Sequence, residues 1–472
     1  MHYNRIPDLN RRAFMKRAAA VAGLGAAAPM ALNLASVGEA AAMDATDYKA
    51  IVCCFFYGGN DYANTVIPYD LPNYDLYSAI RGGASGRQRG GVALGHNELT
   101  GTALTTLTPQ SLTNNIQYAL APELTGVASL FNAGKAAVQL NVGPLVVPLT
   151  LAQYNSGNKA YPLPPKLFSH NDQQSVWQSL GSEGATVGWG GRMGDLALSS
   201  NGQSLMTCIS ASGNAVFVSG NNTLQYQISP DGAIAIWPAK GWVFGSGETS
   251  SLLKQLITEP RTHIMENAFN VVTKRSMDME TIVNAALDPV TLTTSFDQTN
   301  YFASQLQVVA RLIAARSALG TKRQVFFVSM GGFDNHDGLM TDHPELMATF
   351  NSAITSFYNA TVELGVANKV TTFTASDFGR TLAYNGDGSD HGWGSHHFIM
   401  GGAVKGGQFY GTAPHISLET DDQVGQGRLL PSTSVDQMAA TLGKWFGLSD
   451  SELTTVLPNI GRFATSNLGF MA

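Results

Sequence analysis

Gln324-Val325-Phe326-Phe327-Val328-Ser329-Met330-Gly331-Gly332-Phe333-Asp334-Asn335-His336 is the stretch on which the reading of the fold turns. Its first half is apolar, β-branched and aromatic, too short for a helix and closed by two glycines, so it predicts a buried strand. Residues 50–56, 136–142 and 370–375 read the same way. Helical periodicity fills the intervals, chiefly over 263–286, 301–319 and 343–364, with a last pair over 435–446 and 451–456. Strands alternating with helices imply an α/β fold, a central, mostly parallel sheet with helices on both faces. The stretches 82–109 and 201–251 are rich in Gly, Ser, Thr and Asn and read as polar surface insertions able to carry hairpins.

Polar residues follow the strands directly. Phe55-Phe56-Tyr57 runs into Gly58-Gly59-Asn60-Asp61, the opening stretch runs into Asp334 and His336, and Thr372-Phe373-Thr374 runs into Ser376-Asp377-Phe378-Gly379-Arg380. Ligands of open α/β sheets bind at the carboxyl ends of strands, so Asp61, Asp334 and Asp377 are expected in one crevice. One aspartate after a strand is ordinarily a turn former; three beside a histidine point to a site. Asp390-His391-Gly392-Trp393-Gly394-Ser395-His396-His397 then places three of the ten histidines within seven residues. Imidazole with carboxylate suits Zn²⁺, Mn²⁺ or Fe, while the glycines flanking Trp393 also fit a tight hydrogen-bonded turn. Ser169-His170-Asn171-Asp172 has the spacing of a helix N-cap, and the same geometry presents a hydroxyl to an anionic ester at a helix start. Val328-Ser329-Met330-Gly331 partly resembles a nucleophile elbow, but Phe327 stands where the first glycine should be.

The first 42 residues read as a removable export signal. Arg11-Arg12 precede Phe14 and Lys16, a weakly apolar stretch follows, and Ala40-Ala41-Ala42 offers small residues for cleavage. Twin-arginine export to the periplasm or the cell exterior is the expectation, with residues 43–472 as the working chain and no stable membrane span in it. The signal holds 5 of the 28 basic and 2 of the 34 acidic side chains, which leaves 23 against 32 and a formal charge of −9. That charge argues against nucleic acid as a partner. The three cysteines, Cys53, Cys54 and Cys208, lack metal-type spacing; they read as small core residues, with a bridge to Cys208 open as an alternative.

Taken together, these motifs resemble the exported bacterial family numbered 1501 among the domains of unknown function. The residues that carry the resemblance are Gly58-Gly59-Asn60-Asp61 with Asn64-Thr65-Val66-Ile67-Pro68-Tyr69, Ser169-His170, Gly331 to His336, Ser376 to Thr381, Asp390 to Gly394, His396-His397 and Met400-Gly401-Gly402. That family is grouped with the alkaline phosphatase and sulfatase superfamily. The resemblance implies that fold, in a single domain over 43–472, and hydrolysis of phosphate or sulfate esters with a divalent ion such as Zn²⁺, Mn²⁺, Mg²⁺, Ca²⁺ or Fe²⁺. It implies Ser169 as nucleophile and Asp61, Asp334, His336 and Asp377 as metal ligands; in a hydrolase of this kind Thr65 is the alternative nucleophile, and Arg380 would clamp the oxygens of the anionic ester. His391, His396 or His397 would be the distal ligand. The superfamily's Asp-x-x-x-His spacing is broken, since position 338 is glycine, and Phe378 stands where an Asp-His pair needs its histidine. One ion, or none, is therefore expected in place of a pair, and any ion between Asp61 and Asp377 would depend on oxygen ligands alone. The alternative is a catalytically degenerate protein that binds or assembles with a protein partner at the cell surface.

Overall fold

The computed structural model describes Met43 and residues 45–472; the expected signal lies outside the described residues. Strand β1 (Lys49–Phe56) explains the architecture. Its alternate side chains go to opposite faces, as the pleat requires. Ala50, Val52, Cys54 and Phe56 enter one hydrophobic core, and Ile51, Cys53 and Phe55 enter another. A strand buried on both faces must be apolar throughout, and for that reason no period-2 alternation is visible in the sequence.

The main sheet adds β2 (Ala136–Gly143), β3 (Cys208–Ser210), β4 (Tyr226–Gln227), β5 (Arg323–Met330), β6 (Val370–Ser376), β7 (Ser395–Met400), β8 (Phe409–Tyr410) and β9 (Thr433–Ser434). Its order is β8-β2-β7-β6-β1-β5-β3-β4, with β9 paired to β2. All pairings are parallel except those of β7, which runs antiparallel to β2 and β6. Helices α1 (Tyr301–Ala314) and α2 (Leu339–Glu363) cover the first core, and α3 (Val435–Phe446) covers the second. The α/β expectation with helices on both faces therefore holds. Helix α2 starts four residues before the predicted 343 and runs through Pro344.

Two details depart from the sequence reading. The stretch 201–251 contributes β3 and β4 to the main sheet as parallel strands where hairpins were expected; strands of three and two residues are too short to show a period. Strand β7 begins just after the turn at Trp393 and carries His396 and His397; no strand pattern announces it, because glycine and histidine mask the short apolar run of Phe398, Ile399 and Met400. Cys53, Cys54 and Cys208 are buried free thiols.

β1 lies between β5 and β6, and Phe56 is in register with both Met330 and Ser376. The three strands thus end level at one edge, and their following loops meet there. Gly58 and Gly59 make this possible, with φ of +117° and +85°. A Cβ on Gly58 would come within 2.4 Å of the Asp334 nitrogen, and one on Gly59 within 2.2 Å of the Phe378 ring.

Candidate metal centre

The loops at that edge, a short hairpin and the start of one helix bring four side chains together. Asp334 and His336 follow β5. His391 ends the strand Ser389–His391, which pairs antiparallel with Arg380–Tyr384 so that His391 faces Arg380. His170 is the first residue of the helix His170–Ser179. His170 Nε2 lies 3.0 Å from His391 Nε2, and His336 Nε2 lies 2.8 Å from the same atom. The Asp334 carboxylate approaches all three, at 3.4 Å from His170, 3.2 Å from His336 and 3.4 Å from His391. Among the described residues, His170, Asp334 and His391 form the one group of His, Cys, Asp and Glu with ligand atoms all within 4.8 Å of one another. His336 stands at the open rim, with 43% of its side chain exposed against 26% for His170 and His391.

The bonds behind the imidazoles fix what they present. His170 donates from Nδ1 to Asp377 Oδ2 at 2.7 Å, and His391 donates from Nδ1 to the Phe168 carbonyl at 2.7 Å. With both Nδ1 atoms carrying hydrogen, the neutral rings turn bare Nε2 lone pairs toward each other and toward a carboxylate. Acceptors facing acceptors at this range repel unless a cation or an added proton sits among them. The donor set of two imidazoles and a carboxylate, each imidazole backed by an oxygen acceptor, matches what Zn²⁺, Mn²⁺ or Fe²⁺ requires.

Much of the surroundings serves to hold these groups still. Asp377 is fully buried and also accepts from the Gly58 nitrogen at 3.0 Å and Gln174 Nε2 at 2.9 Å. Phe378 packs its ring 4.9 Å from that of His170 and 4.7 Å from that of His391. Phe168 adopts a left-handed φ of +71°, costly for a bulky residue, and presents its carbonyl to His391. Arg428 lies over the Phe168 ring and donates to the His391 carbonyl at 2.7 Å. Burial alone would raise the Asp334 carboxyl, but its hydrogen bond and charge contact with Arg380, helped by His170 and His336, hold it below the usual carboxylate range. The bond to Asp377 raises His170 above an ordinary histidine, while burial lowers His391.

Several expected site residues are placed elsewhere. Asp61 is buried in an ion pair with Arg81 at 2.9 Å, accepts from Ser389 Oγ at 2.7 Å and caps the turn at Asn64; a guanidinium, where an ion was expected, neutralises it. Asp377 stands behind His170. Arg380 is fully buried and directs its donors to Gly58 O, Ser389 O and Asp334 Oδ1, so it orients Asp334 and is not presented to an ester in the crevice. Thr65 is buried, and its hydroxyl donates to the Asp61 carbonyl at 2.8 Å. His396 and His397 lie in β7 and point into opposite sides of the sheet. His396 Nδ1 accepts from the Asn141 nitrogen and its ring meets Tyr62; His397 pairs with Thr374 Oγ1 and its ring meets Trp177. A strand inside a sheet cannot swing them to the cluster. Ser169 takes the N-cap position but donates its hydroxyl to Asp172 Oδ2 at 2.9 Å and makes no bond to a helix N–H.

His170 was the ligand candidate missed, because a histidine beside a capping serine reads as part of a helix start. Gln174, one turn later, shows the helix face that points at the cluster. A separate cleft of about 860 Å³, lined by residues including His415, Glu419, Asp421 and Asp422, contains none of the four clustered side chains. Its single imidazole, His415, is paired with Asp422 at 2.9 Å, so chemistry places the candidate site at the sheet edge.

The family described as "Protein of unknown function (DUF1501)" matches residues 48–459 of the chain. No curated protein matches it. Among solved structures, PsFucS1 sulfatase from Pseudoalteromonas sp. is 8% identical with a TM-score of 0.35, over 89% of this chain and 72% of that one. Ps i-CgsB in complex with k-i-k-neocarrahexaose is 7% identical with a TM-score of 0.35, over 86% of this chain and 74% of that one.

Proposed function

We propose that this chain, which belongs to the DUF1501 family, is an exported hydrolase of phosphate or sulfate esters that holds one divalent ion on His170, Asp334 and His391, with His336 at the rim. The observation that carries the reading is the pair of Nε2 atoms 3.0 Å apart, each left bare by the acceptor behind its ring. Such an ion, when bound, would supply Lewis acidity and charge neutralisation for an anionic ester.

The chain's own groups divide the remaining work. Asp377 holds the proton on His170 Nδ1 and so keeps Nε2 turned to the site. Arg380, helped by His170 and His336, keeps Asp334 ionised. Ser169 is the hydroxyl next to His170 in sequence, and the Asp172 carboxylate 2.9 Å away can accept its proton; it is the nucleophile we favour over Thr65, whose hydroxyl is buried. The half-exposed Asp334 and His336 leave the cluster open to a small anionic substrate. Metal identity is tested by elemental analysis of the purified chain. Activity is tested by loading it in turn with Zn²⁺, Mn²⁺, Mg²⁺, Ca²⁺ and Fe²⁺ and assaying phosphate and sulfate esters; no turnover with any of them would end the hydrolase reading.

One observation favours the second reading, a degenerate binding protein. Arg81 and Arg380 close with protein contacts the side where the superfamily pattern would put a second ion and where an ester clamp was expected. A metallated chain that turns over no ester and retains a stable protein partner would decide for it. Export rests on Arg11 and Arg12. Lysine at both positions should strand a precursor in the cytoplasm, and among the described residues no helix is long and apolar enough to cross a membrane.

A further inference from the structure

The strongest feature outside the cluster is an apolar surface built by residues 234–272. A loop carries Trp237, Trp242 and Phe244, which are 74%, 77% and 97% exposed. It packs on helix α4 (Gly247–Thr258), where Ser250 Oγ donates to the Pro238 carbonyl at 2.8 Å. Helix α5 (Ile264–Leu287) follows and is oriented against its own polarity. Its inward face at this end is polar: Asn270 and Thr273 are buried, and Asn270 Nδ2 donates to the carbonyls of Leu256 and Glu259. Ile264, Met265, Phe269 and Val272 are consequently turned to solvent, beside Leu252 and Leu256 of α4.

We infer that this surface is the contact between two copies of the chain. Phe269, 62% exposed, brings the exposed aromatic rings to four. At ~200 Å² a ring, those exposures amount to about 600 Å² before any aliphatic side chain is counted. That approaches the ~800 Å² each partner commits to a stable interface and already reaches the upper end, about 600 Å², of what monomers ordinarily leave open. The aromatic and methionine-bearing composition is that of a homodimer interface.

Charge selects a second copy over a bilayer. Over 234–280 there are five basic residues (Lys240, Lys254, Arg261, Lys274, Arg275) and five acidic ones (Glu248, Glu259, Glu266, Asp278, Glu280). Lys240 is already paired with Glu280, and Lys274 with Asp278. Membrane-surface helices need the basic excess that this segment lacks, and the rest of the chain is acidic enough to be repelled by anionic lipid. Two such neutral faces meet around a two-fold axis without opposing net charge, while the acidic remainder stays apart. The inference stands independently of the metal centre.

Light scattering of the full chain over a range of concentrations should show a dimer. Phe244→Ser with Phe269→Ser should weaken dimerisation at least about tenfold, with the metal content unchanged and, at dilutions where both proteins are monomeric, the urea midpoint unchanged too, because both rings are exposed. As a second measurement, Trp242→Cys should give a covalent dimer with a bifunctional thiol reagent, since the three native cysteines are buried. A chain that stays monomeric at every concentration, or a dimer indifferent to the double substitution, overturns the inference. So does a monomer that binds phosphatidylglycerol or phosphatidylcholine vesicles through Trp242 and Phe244, which would assign the surface to a bilayer.

Discussion

Asp377 Oδ2 lies 2.7 Å from His170 Nδ1, although 207 residues separate them in the chain. The contact exists because β6 ends level with β1, and Asp377 is the first residue beyond β6. It decides which nitrogen of His170 faces Asp334 and His391. Replacing Asp377 with Asn keeps the shape and removes the charge that holds the Nδ1 proton. Metal affinity, read by competition with a chelator, should fall by about 10- to 100-fold, as for other carboxylates that back a metal-binding histidine. An unchanged affinity would mean that the contact does not orient the ligand.

Asp61 and Arg81 test the opposite role. Both are buried, and Arg81 also reaches the carbonyls of Thr381 and Leu382, so the pair ties the β1 loop to the strand Arg380–Tyr384. Burial would raise the Asp61 carboxyl, but the adjacent Arg81 charge outweighs it and lowers it. Arg81→Met leaves an unpaired buried carboxylate and should cost roughly 3–5 kcal/mol in urea unfolding. The metal content of the folded fraction should be unchanged. Loss of metal without loss of stability in Asp61→Asn would instead make Asp61 a ligand.

Stability should fall in mild acid for a reason separate from the cluster. Burial holds His343 down to about 4, and His396 and His397 down to about 3, from an ordinary 6.5. Each is neutral when folded and takes up a proton on unfolding. Their contribution is therefore complete above about 6.5 and is lost as pH descends toward 4, at up to ~1.4 kcal/mol per pH unit for each. Asp436, raised by burial to about 6, opposes them between that value and its unfolded one, because it binds its proton more readily in the folded chain. His170, raised by Asp377, also opposes them. His391, also lowered by burial, acts with the three buried histidines; four groups against two leave a net fall, measurable as a lower urea midpoint at pH 5 than at pH 7. A midpoint that rises over that interval would show the buried histidines to be charged.

The central strands were legible because each is buried on both faces and must therefore be apolar throughout, which leaves runs such as 324–330 that nothing else explains. The edge on which Asp61, Asp334 and Asp377 gather followed from strand direction alone. Their separate roles did not, because the partners that set them are remote in sequence. Arg81 lies 20 residues from Asp61, Ser389 lies 328 from it, and His170 lies 207 from Asp377. The histidine run misled for a different reason. His391 ends a hairpin that crosses the cluster, whereas His396 and His397 belong to β7, whose antiparallel pairing to β2 and β6 no local pattern announces.

That division of the histidines gives the most discriminating test. His391 Nε2 is the atom nearest both other rings, so His391→Ala should remove the ion from the purified chain altogether. His336 is half-exposed and lies outside the tightest group, so His336→Ala should leave the ion bound with lower affinity. Gln at position 396 or 397 changes a side chain enclosed by Tyr62 and Tyr118 in the one case and by Trp177 and Thr374 in the other. Those two variants should lose stability, by roughly 1–3 kcal/mol if a buried partner is left unsatisfied, while the folded fraction keeps its full metal content. Elemental analysis of the four proteins beside the parent separates the cases, because ligands change the metal-to-protein ratio and core residues change only the unfolding midpoint. Equal metal content in parent and His391→Ala would remove the metal centre from this edge of the sheet, and the lone pairs of His170 and His391 would then have to be reconciled by a proton on His170.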